Sequence, residues 1–224
     1  MKLIVGLGNP GKIYINSRHN IGFSVIKSLS QLLDISLKTE SRALSVVGKG
    51  RIKNKNIILA MPLTFMNLSG LTVSALVKKY KIDLPRPSLK ANIVLKEERG
   101  EPRPSLKSDT DPKEERDLDN LLVVCDDLDL EFGRMKIRPR GSSGGHRGLQ
   151  SIMDYLGSGG FARLRIGIGR PRQKADAAEY VLSVFTREEK EQVKKTITEA
   201  CDCCESWVAE GIAKSMNIFN RRSD

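Results

Sequence analysis

Residues 1–11 read MKLIVGLGNPG, and the fold turns on what the three glycines of that stretch do. Leu3–Leu7 is a short apolar run of the kind that forms a buried strand. Gly6, Gly8 and Gly11 follow with the G-x-G-x-x-G spacing of a dinucleotide-binding loop. Such a loop requires a helix that begins inside the glycine motif, so that free N–H groups meet the pyrophosphate. Here Pro10-Gly11 runs on into KIYINSR, and the helical pattern starts only near Asn20. The loop also requires an acid at the end of the next strand. Asp34 stands at about that distance, but at the end of a helix. Both requirements fail, so a nicotinamide or flavin enzyme is disfavoured. What remains is a tight turn that presents Asn9 at the carboxyl end of the first strand, where α/β sheets place their chemistry.

Working outward, strand runs and helical patterns alternate. Ile21, Val25, Leu29, Leu32 and Leu33 give an amphipathic helix over 20–34. Leu44–Val47 and Ile57–Met61 read as strands, joined through Gly48–Asn56 as a hairpin. A helix follows from Ser69, which is a candidate cap. Leu121–Cys125 is a continuous apolar strand ending at Asp126, and Met135–Arg138 and Leu164–Ile168 are further strands. A helix spans about Arg147 to Leu156. A long one runs from Thr186 toward Gly211, with acids in its first turn as the helix dipole favours. The expected class is α/β: one domain over 1–224, a mixed twisted sheet covered by helices on both faces.

Residues 85–119 break this pattern. They hold five of the nine prolines, no aromatic residue, and the hexapeptide PRPSLK twice, at 85–90 and 102–107. A segment so poor in apolar area cannot offset the entropy of ordering it, so it reads as a flexible surface insertion. Its net charge is −1, which leaves the whole basic excess, about +12, on the rest of a chain of formal charge +11. That balance suits a phosphate-rich partner. No apolar run nears the ~20 residues that span a bilayer, and the N-terminus lacks a signal-peptide pattern. A cytoplasmic location is expected. Cys125 lies in a strand run, and Cys201, Cys203 and Cys204 cluster on a helix without paired CxxC spacing. Buried thiols are expected there rather than a metal site.

Two histidines exist, His19 in NSRHN and His146 in SSGGHRG, so proton transfer near neutral pH falls to one of them. Asp126, at a strand end, is placed to steady an imidazole. Met66 and Asn67 precede a helix, and the loop RGSSGGH offers free N–H groups to phosphate or carbonyl oxygens.

Taken in order, GLGNPG, RHNIGF, PLTFMNLSG, CDDLDLEFG, GGHRGL and RLRIGIGRP resemble the bacterial-type peptidyl-tRNA hydrolases over nearly the whole chain outside 85–119. That resemblance implies hydrolysis of the ester between a peptide and the terminal ribose of tRNA, by a monomer without metal or organic cofactor. It implies His19 as general base and Asp126 as its orienting acid. Asn9, Tyr14, Met66, Asn67, His146 and Arg147 would contact the substrate. Arg147 stands where many relatives carry asparagine, and a guanidinium can donate but not accept. Arg138 and Arg165 match the family's phosphate-gripping positions, flanked by Lys136 and Arg163 on the same strands. Residues two apart on a strand share a face, so each strand would present a co-facing pair. The competing reading is a non-enzymatic RNA-binding relative, like the intron-splicing partner of plant organelles that resembles this fold.

Overall fold

The computed structural model describes residues 1–82, 118–171 and 177–221. Seven strands form one sheet: β1 (Lys2–Gly6), β2 (Lys38–Glu40), β3 (Ser45–Ile52), β4 (Lys55–Pro62), β5 (Leu118–Asp127), β6 (Met135–Arg138) and β7 (Phe161–Gly167). Their spatial order is β2-β3-β4-β1-β5-β7-β6. The four central strands β4, β1, β5 and β7 run parallel, and the flanking strands pair antiparallel. Parallel strands need helical crossovers that cover both faces. Helices α1 (Ile21–Leu32), α5 (Glu189–Glu210) and α6 (Ile212–Phe219) cover one face, and α2 (Ser69–Lys79) with α3 (Arg147–Leu156) covers the other. A short α4 (Ala177–Leu182) precedes α5.

Alternation along each strand divides the core in two. Ile4, Leu122, Val124 and Leu164 pack beneath α1 and α5, while Leu3, Val5, Leu121 and Val123 pack beneath α2 and α3. Burying β1 and β5 on both faces is what makes their sequences continuously apolar.

The first two glycines of the opening stretch are packed against the start of α1, where a Cβ on Gly8 would lie 2.7 Å from the Phe23 ring. A Cβ on Gly6 would sit 2.1 Å from the Gly22 carbonyl oxygen, and one on Gly22 would lie 2.5 Å from Leu7 N and Val124 O. The pair lets the start of α1 lie directly on β1 and β5, which carries residues 18–20 to the strand ends. Gly11 alone needs its special backbone, with φ of 106°.

Several expected elements have other bounds. The hairpin has no long connection: β3 and β4 pair from Ser45↔Pro62 to Ile52↔Lys55, leaving Lys53 and Asn54 as the turn, with φ of 52° at Lys53. Ser69 does not cap α2. Leu68 holds that place with no side-chain cap, and the Ser69 hydroxyl is buried over Met66 Sδ. α5 begins at Glu189, although Thr186 shapes its approach: Thr186 N–H donates to Glu189 Oε2 (2.7 Å) and Glu189 N–H to Thr186 Oγ1 (3.4 Å). Strand β2 and helices α4 and α6 were not expected. Most of the expected insertion lies outside the described residues. Its last two positions do not: Leu118 and Asp119 belong to β5, with Leu118 buried.

All four cysteines are free and buried. Burial pushes the Cys201 and Cys203 thiols up to about 12, so neither is a ready thiolate. No helix among the described residues is long and apolar enough to cross a membrane.

Candidate active site

The carboxyl ends of β1, β4 and β5 converge, and the expected residues converge with them. His19 lies in a 3-10 turn, Arg18–Asn20, that leads into α1. Its Nδ1 is 2.8 Å from Asp126 Oδ1, at the end of β5. Asp126 is 2% exposed and His19 9%. Burial alone would raise the Asp126 carboxyl. The facing imidazoles of His146 and His19 outweigh it and hold the group well below the usual carboxylate range. Asp126 is therefore an anion at any working pH. It accepts the Nδ1 proton of His19 and leaves Nε2 with its lone pair.

The turn bearing His19 is itself clamped. Arg18 donates to both carboxylate oxygens of Glu189 (3.1 and 2.7 Å) and to Ser183 Oγ (3.2 Å), and its guanidinium lies 4.5 Å from the Tyr180 ring centroid. Asn20 locks the other side: its Oδ1 accepts Asn9 N–H (2.7 Å) and its Nδ2 donates to Asn9 O (3.0 Å).

Asn9 Oδ1 accepts Met66 N–H (2.8 Å). With the carbonyl so engaged, the Asn9 NH₂ is the group left to donate, and among the described residues it has no partner. Met66 differs from expectation. Its side chain is 4% exposed and packs in the core beneath α3, against Gly148, so it shapes the site through its backbone and not through an open thioether. Asn67 is exposed, and Tyr14 is half-buried on the turn after Gly11.

His146 stands at the N-cap of α3. Its Nδ1 accepts N–H bonds from Gly148 (3.1 Å) and Leu149 (3.2 Å), while Nε2 faces Asp126 Oδ1 at 3.1 Å. Arg147, the next residue, is exposed. His19, Asp126 and His146 bring three potential ligand atoms within 4.8 Å of one another, the one such group among the described residues.

Next to Asp126 and Asp127, β6 and β7 pair Lys136 with Arg165 and Arg138 with Arg163. Four cations thus share one face of the edge strand β6 and its neighbour β7, an arrangement that repels itself in water. Two of them are differently employed. Arg163 is 1% exposed, and its guanidinium donates to the carbonyls of Gly141, Ser142, Gly159 and Phe161. Burial, with Arg165 nearby, lowers it to about 10. It holds the glycine-rich loop and has no N–H turned to solvent for a phosphate, which corrects the expectation for that residue. Arg165 is tethered to Asp127 Oδ2 (3.0 Å) and Ser142 O (2.7 Å). Arg138 is exposed and Lys136 half-buried.

A family model described as peptidyl-tRNA hydrolase matches residues 3–94 and 112–224. The chain belongs to the peptidyl-tRNA hydrolase family. Similar members include the peptidyl-tRNA hydrolase of Desulforudis audaxviator, 40% identical over 220 residues that cover 98% of this chain and 93% of the relative. That of Aquifex aeolicus is 40% identical over 222 residues, 99% and 97% of the two chains. The crystal structure of peptidyl-tRNA hydrolase from Acinetobacter baumannii superposes with a TM-score of 0.78 at 29% identity, covering 98% and 94%. The unmatched stretch, 95–111, is narrower than 85–119. It contains one copy of PRPSLK and leaves the other within the matched region.

Sequence reasoning about this hydrolase missed Asn20, Arg18, Glu189 and Asp127. Asn20 and Arg18 flank His19 in RHN, but nothing local distinguishes them from turn residues. Glu189 is 171 positions from the arginine it holds. Only the fold brings them together.

Proposed function

We propose that this chain hydrolyses the ester joining the peptide of peptidyl-tRNA to the terminal ribose, with His19 as general base. The observation that carries the reading is the 2.8 Å contact between His19 Nδ1 and Asp126 Oδ1 beside the Asn9–Met66 clamp. Nε2 of His19 takes a proton from water, the oxygen adds to the ester carbonyl carbon, and the C–O bond to ribose breaks. The imidazolium then returns its proton to the departing ribose oxygen. Positioned proton transfer of this kind contributes about 10²–10⁴ in rate. Asp126 positions the ring and stabilises its cation without taking the proton itself.

The free NH₂ of Asn9 can donate to a substrate carbonyl or to the oxyanion, and Asn67, Tyr14 and Arg147 lie exposed or half-exposed to contact the peptidyl end. Recognition through main-chain groups fits an enzyme that accepts many peptide sequences. Arg138, Arg165 and Lys136 meet backbone phosphates of the tRNA, which supplies affinity without base readout. The chain acts as a cytoplasmic monomer that returns tRNA to translation. A non-catalytic RNA-binding role has no use for a buried His–Asp pair, and such a pair is costly to keep buried.

The deciding experiment incubates purified protein with N-acetyl-aminoacyl-tRNA in EDTA and measures free tRNA. Multiple turnovers are expected, and none comparable from His19→Ala. Binding without hydrolysis by the unaltered chain would refute the reading.

A further inference from the structure

We propose that His146 is a positioning residue that acts through Asp126, holding the carboxylate in place and setting how strongly it supports the proton on His19. This rests on the reading of His19 as the base.

The chemistry follows from the bonds of the ring. A neutral imidazole has one N–H and one lone pair. His146 Nδ1 accepts two backbone N–H groups at the start of α3, at 3.1 and 3.2 Å, so the lone pair is there and the proton is on Nε2. That proton points at Asp126 Oδ1, 3.1 Å away, and His19 Nδ1 donates to the same oxygen from 2.8 Å. One carboxylate oxygen thus receives two N–H bonds. The second donor draws charge from the oxygen and weakens its support for a cation on His19. Gaining a second proton would set His146 Nδ1–H against two N–H groups of its own helix, with the His19 ring centroid 5.0 Å away. The helix therefore keeps the His146 lone pair on Nδ1 and its proton on Nε2, facing Asp126.

The other charges around the trio already have partners or face solvent. Arg18 is held by Glu189 and Asp127 by Arg165, Arg147 is exposed, and burial pushes the neighbouring Cys125 thiol well up, so it stays neutral. No other group among them takes over the Asp126 bond.

Two substitutions separate the two ends of the ring. His146→Asn places an amide oxygen where Nδ1 stood; it keeps the cap of α3 and loses the bond to Asp126. His146→Gln reaches Asp126 with an amide N–H and loses the cap. With one donor removed, Asp126 binds the His19 imidazolium more tightly. In His146→Asn the acid limb of the kcat/KM profile is expected to move up by about 0.5–1 pH unit, a loss of about 3- to 10-fold below that limb. In His146→Gln the limb is expected to stay in place while Tm falls. An unmoved limb in His146→Asn, or an equal movement in both variants, would overturn the proposal. The His19 Cε1–H resonance titrated by NMR in the same variants reads the coupling without turnover. A failure of the base assignment, seen as turnover by His19→Ala, is therefore told apart from a failure of the coupling.

Discussion

Replacing Asp126 with asparagine removes one charge and little else. The residue is 2% exposed, and the amide can keep its oxygen toward the His19 Nδ1 proton, now 2.8 Å away. What it cannot do is stabilise the imidazolium that forms when His19 takes the water's proton. Two opposite charges about 4 Å apart at an effective dielectric of 20 attract by about 4 kcal/mol. Each 1.36 kcal/mol is tenfold in rate, so loss of most of that stabilisation lowers kcat by roughly 10²–10³. KM should change little, because the carboxylate lies behind the imidazole and does not reach the substrate. Tm at neutral pH should fall modestly, because the bonds to the two imidazoles outweigh the desolvation cost of the anion that the variant lacks. The assay is steady-state release of tRNA from N-acetyl-aminoacyl-tRNA, with circular dichroism to verify folding. A folded Asp126→Asn variant with kcat within threefold of the parent would refute the charge-support argument.

The same carboxyl predicts an acid limb of stability. Its folded value lies below the ordinary one, so the unfolded chain binds the proton more tightly. The associated stability is complete above about pH 4 and is lost as pH falls further. Tm measured between pH 2 and 6 should fall less steeply in Asp126→Asn than in the parent; parallel curves would contradict this. Arg165→Glu should raise KM for full-length tRNA substrates at least tenfold while kcat changes less, and its salt dependence should flatten; an unchanged KM would refute a phosphate contact there. Arg163→Lys should cost about 3 kcal/mol, because an ammonium cannot serve the four carbonyls the guanidinium holds. Differential scanning calorimetry would show this as a Tm lowered by about 6–12 °C, and a shift under 2 °C would argue against that structural role.

The sequence by itself determined the α/β class, the central apolar strands and most helices. These follow from local periodicity, which the chain carries wherever a face is buried. It was enough to reject the dinucleotide reading of Gly6, Gly8 and Gly11 and to narrow proton transfer to His19 or His146, with Asp126 directly after LLVVC; the choice of His19 came from the resemblance to the peptidyl-tRNA hydrolases. Bounds set by pairing were not legible: β3 and β4 extend through Gly48–Ile52 and Lys55–Asn56 because each has the other to bond, and Leu118 joins β5 because its side chain meets the core. Only the tertiary structure decided which cations are open to a ligand. Arg163 and Arg165 have the same spacing pattern, yet Arg163 is closed off by carbonyls that come from a loop some 20 residues away. The tertiary structure also decided the place of His146. No local pattern shows that one nitrogen of a ring would cap a helix while the other reaches the end of a strand 20 residues earlier. Contacts distant in sequence are made by packing, and packing leaves no period to read.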